Sequence, residues 1–479
     1  MKNRIAKAGL VILLAMALSF VALAQVGSPY IHDPSTIVEC DGKYYTFGTG
    51  SGGLISEDGW NWHSGGVRPG GGVAPDAIKI GDRYLVVYST GGVQGVRYGS
   101  HVYAMWNKTL DPESPDFQYT DPIDIAGSNG YEDCDGIDPG LMMGPDGRLW
   151  LVYGTYFGYL RVVELDPATA LAIGDPVDVA LSCEAGEMIY NDGWYYLLAT
   201  HGTCCSGVNS TYEIIVGRSR YPLGPYYDNL GRDMKEGGGK LLLASEPRRI
   251  GAGHFGRFIQ EKGIEKFSFH FEGDLDRSGR SVLAIRPLIW KDGWPVAGEP
   301  FQDGEYSIVS ERRGYTLELS VNNVPMNAGG MGMLRNADGP VVVLDDQKLE
   351  DVIDTWPAGN IDLRIGPELF RPHQAWVITE VPDAGGYLGG AYCKITLAGT
   401  GRALAATADK DVTTVPEFTG APEQLWRIDR LVDGTYRIMP KFIPGTDEEL
   451  VLVAVADSTP SLGVFDPDSD NSKWNLKKH

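Results

Sequence analysis

The sequence predicts an all-β protein in two parts, a five-bladed β-propeller followed by a three-unit β domain. Three observations predict it. Short runs such as KYYTF, RYLVVYS, RLWLVYGT, WYYLLAT, TYEIIVG and SVLAIRPLIW mix aromatic and β-branched residues and end at Gly, Asp or Asn, the signature of strands joined by tight turns. One unit recurs five times between about Tyr30 and Trp290, and a different unit recurs three times after Phe301. Beyond the first 24 residues, no stretch longer than about twelve residues carries helical periodicity.

The chain of 479 residues is long enough for two cores at 43% apolar content. Met1 to Ala24 carries Lys2, Arg4 and Lys7, then an apolar run from Leu10 to Leu23, then small residues before Gln25. These are the three parts of a secretory signal peptide, so cleavage after Ala24 and a secreted or periplasmic protein are expected. The run is short for a membrane span. Removing three cations takes the formal charge from −22 to −25, which disfavours nucleic acid and anionic membranes as partners. Six cysteines (Cys40, Cys134, Cys183, Cys204, Cys205 and Cys393) are too few and too scattered for a disulfide-framed fold and lack zinc-ribbon spacing.

Residues 25–300 hold the first repeat. Asp33 in HDPS, Asp138 in IDPG, Glu184 and His254 in GHFG each precede a turn glycine by nine residues, at Gly42, Gly147, Gly193 and Gly263, and a strand follows each time. Asp76 in APDA opens a shortened copy. Five copies of a polar residue, an inner strand, a tight turn and a second strand predict five blades, with the five polar residues converging on one central pocket. A β-sandwich with repeated turns would leave the recurring polar group unexplained.

A ring of Asp33, Asp138 and Glu184 suits glycoside hydrolysis. That reaction needs one carboxylate to take a proton from water and one carboxylic acid to protonate the leaving oxygen. A third acid nearby raises the pKa of the proton donor. Each alone could be a turn cap, but the shared offset favours a site.

The motifs HDPS, IDPG, the Glu184 segment, CCSGVNSTYEIIVGRSRYPLGPYYD, GGGKLLL, GAGHFG and IRPLIWKDGWPVAG together resemble glycoside hydrolase family 43, most closely its endo-α-1,5-L-arabinanases, over about Tyr30 to Gly298. The resemblance implies hydrolysis of arabinan, a polysaccharide of plant cell walls, with inversion. Asp33 would be general base, Asp138 the tuning group and Glu184 general acid. It also implies that Asp76, His201, Cys204, Cys205 and Ser210 meet substrate, with the cysteine pair on the pocket rim as contact surface or a vicinal disulfide. His254 would hold a calcium ion with waters. Two departures stand out. EAGE replaces EAP and leaves Glu187 as the alternative acid, and GHFG replaces GHNS.

The glycine-rich run Gly48 to Gly53 follows a strand but precedes no helix, so it reads as a hairpin loop rather than a dinucleotide site. Trp60, Trp62, Trp106 and the tyrosines of 153–159 are expected mainly in blade packing. Residues 301–479 form three units that end at Trp376, Trp426 and Trp474 in Gln-x-Trp or a variant, and these resemble the ricin-type β-trefoil, with an insertion between Asn322 and Pro372. This domain is a candidate carbohydrate-binding module, and the chain is expected to be a monomer. The alternative functions are an exo-acting arabinofuranosidase, β-xylosidase or galactanase on the same scaffold, or a propeller that binds sugar without cleaving it.

Overall fold

A computed structural model describes residues 25–50, 52–90, 99–127, 135–155, 158–247, 249–321, 333–334, 342–343 and 349–478. The proposed leader, Cys134 and most of the expected insertion lie outside the described residues. The chain divides into two compact units, one of Met1–Phe258 and Phe267–Ile285, the other of Ile259–Lys266 and Arg286–His479. The division thus falls within the fifth sheet, earlier than the boundary expected near residue 300.

The first part is a five-bladed propeller. Its inner strands are Val38–Cys40, Val73–Ile80, Gly140–Met143, Glu184–Asn191 and Ile250–Glu261, each heading its own sheet; the first sheet adds Val26–Gly27 in parallel to its outer edge. Alternation along the strands buries one face of each sheet against the next, as in the cluster of Leu85, Val87, Leu141, Leu149 and Leu151. Trp60, Trp62, Trp106 and Tyr153 are buried, as their role in blade packing requires. The ring closes where Tyr30 pairs with Val282, Ile31 N–H donates to Ser281 O at 3.2 Å and Leu283 N–H donates to Pro29 O at 2.8 Å.

At or near the start of each inner strand a non-glycine residue occupies the left-handed region: Asp33 (φ 52°), Ala74 (43°), Asp138 (51°), Ala185 (50°) and, five residues into its strand, His254 (59°). Non-glycine residues adopt this region at a cost, so five recurrences mark a constraint built into the fold. In blades one, three and five the kinked residue is the polar one predicted. In blades two and four it is alanine; Glu184 immediately precedes Ala185, whereas Asp76 lies two residues beyond Ala74. A register shift follows the kink in both of those blades, between Val73 and Asp76 and between Glu184 and Glu187.

The second unit holds three four-stranded repeats. Gly304–Ser310, Trp474–Lys478, Tyr436–Pro440, Trp426–Arg430, Cys393–Leu397 and Trp376–Glu380 pair in that order, and the last pairs back to the first. Three hairpins complete the repeats: Tyr315–Leu319 with Ile361–Pro367, Ala403–Ala406 with Val412–Val415, and Val451–Ala454 with Pro460–Gly463. The Gln-x-Trp signal has a physical reason. The three tryptophans are fully buried and donate Nε1–H to Leu317 O, Leu404 O and Leu452 O at 2.9, 3.0 and 2.8 Å. Gln374 and Gln424 accept the N–H groups of Leu369 and Thr419 at 2.9 and 2.7 Å, closing the loop before each tryptophan, and Ser472 stands in the third copy.

Trp426→Ala removes a buried aromatic and leaves the indole's partner carbonyl without that donor. It is expected to destabilise the C-terminal unit by about 3–5 kcal/mol, read by denaturant unfolding; a loss below 1 kcal/mol would contradict this account of the repeat.

Candidate active site

Asp33, Asp138, Glu184 and His254 come together at the inner ends of blades one, three, four and five. His254 Nδ1 lies 3.4 Å from Asp33 Oδ1, and Ala185 N–H donates to Asp138 Oδ2 at 3.3 Å. The kink at each strand entrance turns these side chains together. His254 is itself held by its own N–H, which donates to Thr200 Oγ1 at 2.9 Å.

Asp33 is the most heavily contacted of the acids. Thr49 Oγ1 donates to Oδ2 at 2.5 Å, and His32 Nε2 stands 3.5 Å from the same oxygen. The Asp33 N–H donates to His270 Nδ1 at 3.1 Å. That bond makes Nδ1 an acceptor and places the His270 proton on Nε2. Burial and the neighbouring His32 push the His270 pKa down to about 3, so this imidazole is neutral.

The carboxyls separate by protonation. Burial would raise Asp33, but the bond and charge of His254, with a further contribution from His32, hold it well below the usual carboxylate range. Burial lowers His254, but Asp33 outweighs it and the imidazole is raised. Glu184 goes the other way: burial first, then the Asp33 charge, push it up to about 7. Asp138 is raised well above its ordinary value by burial and by the charges of Glu184 and Asp33. Three acids at one site are therefore pushed apart, one held ionised and two raised, Glu184 to about 7.

The other predicted residues divide. Cys204 and Cys205 form a vicinal disulfide, and Cys205 Sγ lies 3.6 Å from His32 Nε2, one imidazole away from Asp33. Ser210 is buried and donates to Glu272 Oε1 at 2.9 Å, the oxygen that also accepts Cys205 N–H at 2.7 Å. Ser210 therefore ties the Cys205 loop to Glu272. His201 is half-exposed beside Glu213, with Nδ1 3.2 Å from Oε1. Asp76 departs from its expected place in the pocket. It is 3% exposed, and its two oxygens accept Thr36 N–H and Leu141 N–H, both at 2.8 Å. Glu187, the alternative acid, is also 3% exposed and packs beside Arg257, with Oε1 3.5 Å from Nε, whereas Glu184 keeps partial exposure.

Sequence reasoning did not single out Thr49, Tyr212, His32 or His270. Tyr212 donates its hydroxyl to Glu184 Oε1. It stands in the matched STYEI motif and His32 in HDPS, so both had a signal; Thr49 lay in a loop dismissed as a hairpin, and His270 lies in a strand of alternating phenylalanines. As for a metal, the described donor groups that cluster closely are His32 with Cys204 and Cys205, and His32 with Asp33 and His270. His254 belongs to neither. These sets are rich in nitrogen and sulfur, and a calcium ion prefers oxygen, so the protein atoms alone do not make a calcium cage at His254.

The family model for glycosyl hydrolases family 43 matches residues 49–295, just over half of the chain and including Asp138, Glu184 and His254. The chain belongs to glycosyl hydrolase family 43. It is a glycoside hydrolase. Asp33 lies upstream of the matched stretch and owes its place in the site to the contacts above. Among relatives, the extracellular exo-α-(1→5)-L-arabinofuranosidase ArbA of Cellvibrio japonicus is 30% identical over 321 residues, covering 59% of this chain and 89% of ArbA. The extracellular endo-α-(1→5)-L-arabinanase 1 of Bacillus subtilis is 31% identical over 230 residues, covering 46% of this chain and 67% of the relative. A solved exo-1,5-α-L-arabinanase from a bovine ruminal metagenomic library aligns with TM-score 0.53 at 32% identity, over 58% of this chain and all of that one. The Cellvibrio cellulosa α-L-arabinanase complexed with arabinohexaose aligns with TM-score 0.52 at 26% identity, over 57% and 96%.

If Glu184 works protonated, the rate should fall about tenfold per pH unit above about 7, while the acidic limb, set by the depressed Asp33, lies far lower. Glu184→Gln should lower kcat by about 10²–10⁴-fold and abolish the alkaline limb. A wild-type pH profile that stays flat to pH 9 contradicts the assignment.

Proposed function

We propose that the chain cleaves α-1,5-linked L-arabinan by single displacement with inversion, acting within the polymer. The arrangement that carries the reading is Asp33 with His254 Nδ1 3.4 Å away and Glu184 with the Tyr212 hydroxyl at the same site, Asp33 held below the usual carboxylate range and Glu184 pushed up to about 7 by burial and the Asp33 charge. A water beside Asp33 loses a proton to that carboxylate as its oxygen bonds to the anomeric carbon. The glycosidic C–O bond breaks, and Glu184 supplies the proton to the departing oxygen. Thr49 and His254 hold the Asp33 carboxylate in place, and Asp138, fixed by the Ala185 N–H and raised above its ordinary value, is the third acid that tunes the pair.

Arabinan is supported by relatives named for arabinan-type activities and by a structural neighbour in complex with arabinohexaose. Export is supported by two relatives named as extracellular. We read the C-terminal unit as a β-trefoil from its three repeats and buried tryptophans, with carbohydrate binding as its role. Exo action is the second reading, favoured by two exo-named proteins among the relatives and solved structures reported above. Sizing early products from linear arabinan separates the two: short oligomers mean endo cleavage, and arabinose alone means exo. Asp33→Ala should abolish hydrolysis with the fold intact. A wild type inactive on arabinan, xylan and galactan would replace the hydrolase reading with sugar binding.

Calcium belongs to the same proposal in a restricted form. With Nδ1 turned to Asp33, His254 has only Nε2 to offer, so waters would complete the shell. The ion would add positive charge beside the acids. Chelation is expected to lower activity or melting temperature; if neither responds to chelator or added calcium, the metal drops out.

A further inference from the structure

Beneath the catalytic acids lies a second ring. It is formed by Thr36, Asp76, Leu141, Glu187 and Arg257, each two or three residues past the kink of its own blade. Thr36, Leu141 and Arg257 stand three positions beyond Asp33, Asp138 and His254. Asp76 and Glu187 stand two beyond Ala74 and Ala185, because the register shifts of blades two and four bring them to the same level.

The contacts in this ring run between blades. Asp76, from blade two, accepts Thr36 N–H of blade one through Oδ1 and Leu141 N–H of blade three through Oδ2, both at 2.8 Å. Arg257, from blade five, donates through Nη2 to Leu141 O at 3.0 Å and lies 3.5 Å from Glu187 of blade four through Nε. Leu141 is thus gripped at both its N–H and its C=O. Gly140 allows the close approach, since a Cβ there would collide with Glu187. Burial raises the Asp76 pKa, but the two backbone N–H bonds to its carboxyl oxygens hold whichever form it takes, and burial excludes water from replacing them. Asp76 pulls the strand carrying the ionised acid and the strand carrying the tuning acid onto one rigid group.

We propose that Asp76 is a positioning residue that sets the separation of Asp33 and Asp138, through its paired bonds to Thr36 and Leu141. Asp76 touches no substrate in this role. Its effect on rate is carried by backbone placement, where a displacement near 1 Å can cost about a hundredfold. The inference rests on the catalytic reading above for its effect on rate, and on the contacts alone for the tether.

Asp76→Asn keeps the shape but replaces one acceptor with a donor, so one of the two N–H groups loses its partner. In the full chain acting on linear arabinan, kcat should fall about a hundredfold with KM within about twofold, and the Thr36 or Leu141 amide should exchange faster with solvent than in wild type. An unchanged kcat in a folded variant overturns the proposal, as does a fall that only tracks the unfolded fraction. Should Asp76→Asn not fold, Arg257→Gln releases Leu141 O alone and is expected to lower kcat about tenfold at unchanged KM; a folded Arg257→Gln with wild-type kcat also overturns it. If wild type hydrolyses no arabinan, the catalytic reading fails separately. The amide exchange then decides the tether, with unchanged exchange at both amides counting against it.

Discussion

The contact between His254 and Asp33 is the interaction on which the site depends. It settles which acid is ionised, because an imidazole 3.4 Å away favours the charged form against a burial that opposes it. With Asp33 charged, burial first and then its field push Glu184 the other way, and burial with the charges of Glu184 and Asp33 raises Asp138. Burial and one ion pair together therefore divide three chemically similar groups into two roles. The neutral His270 beneath Asp33 adds orientation without a second full charge, since it accepts the Asp33 N–H.

Bringing these groups together has a backbone cost, and the propeller bears it five times. Asp33, Ala74, Asp138, Ala185 and His254 all occupy the left-handed region. Asp tolerates this better than Ala or His does. Ring closure between residues 29–31 and 281–283 holds the first and last blades in register, so no entrance can relax alone. Strain at an entrance is thus offset by sheets that are already fixed, the situation in which strained functional residues persist.

Much of the fold was legible because tight turns demand glycine. Gly42, Gly147, Gly193 and Gly263 adopt φ between 77° and 83°, so the repeat left a mark at each. The mark was less exact than its spacing suggested. Blade three joins Met143 to Leu149 through a longer turn, whereas Cys40 and Lys43, or Asn191 and Trp194, need only two residues between them. Equal offsets from glycine therefore concealed unequal strands. Asp76 shows the limit most clearly. Its motif placed it among the blade openings, but a register shift beside Ala74 moved it to the deeper ring, and no pattern of residue types announces such a shift. His270 was invisible for a different reason, since a buried polar residue in an aromatic strand looks like any inward-facing position.

The central claim is that Asp33 and Glu184 act on opposite faces of one bond, with water delivered by the first. Nuclear magnetic resonance of the sugar freshly released from α-1,5-linked arabino-oligosaccharide, recorded before the anomers interconvert, tests this directly. The account predicts the β anomer as the first product. An α anomer would mean a covalent intermediate and two displacements, and would contradict it.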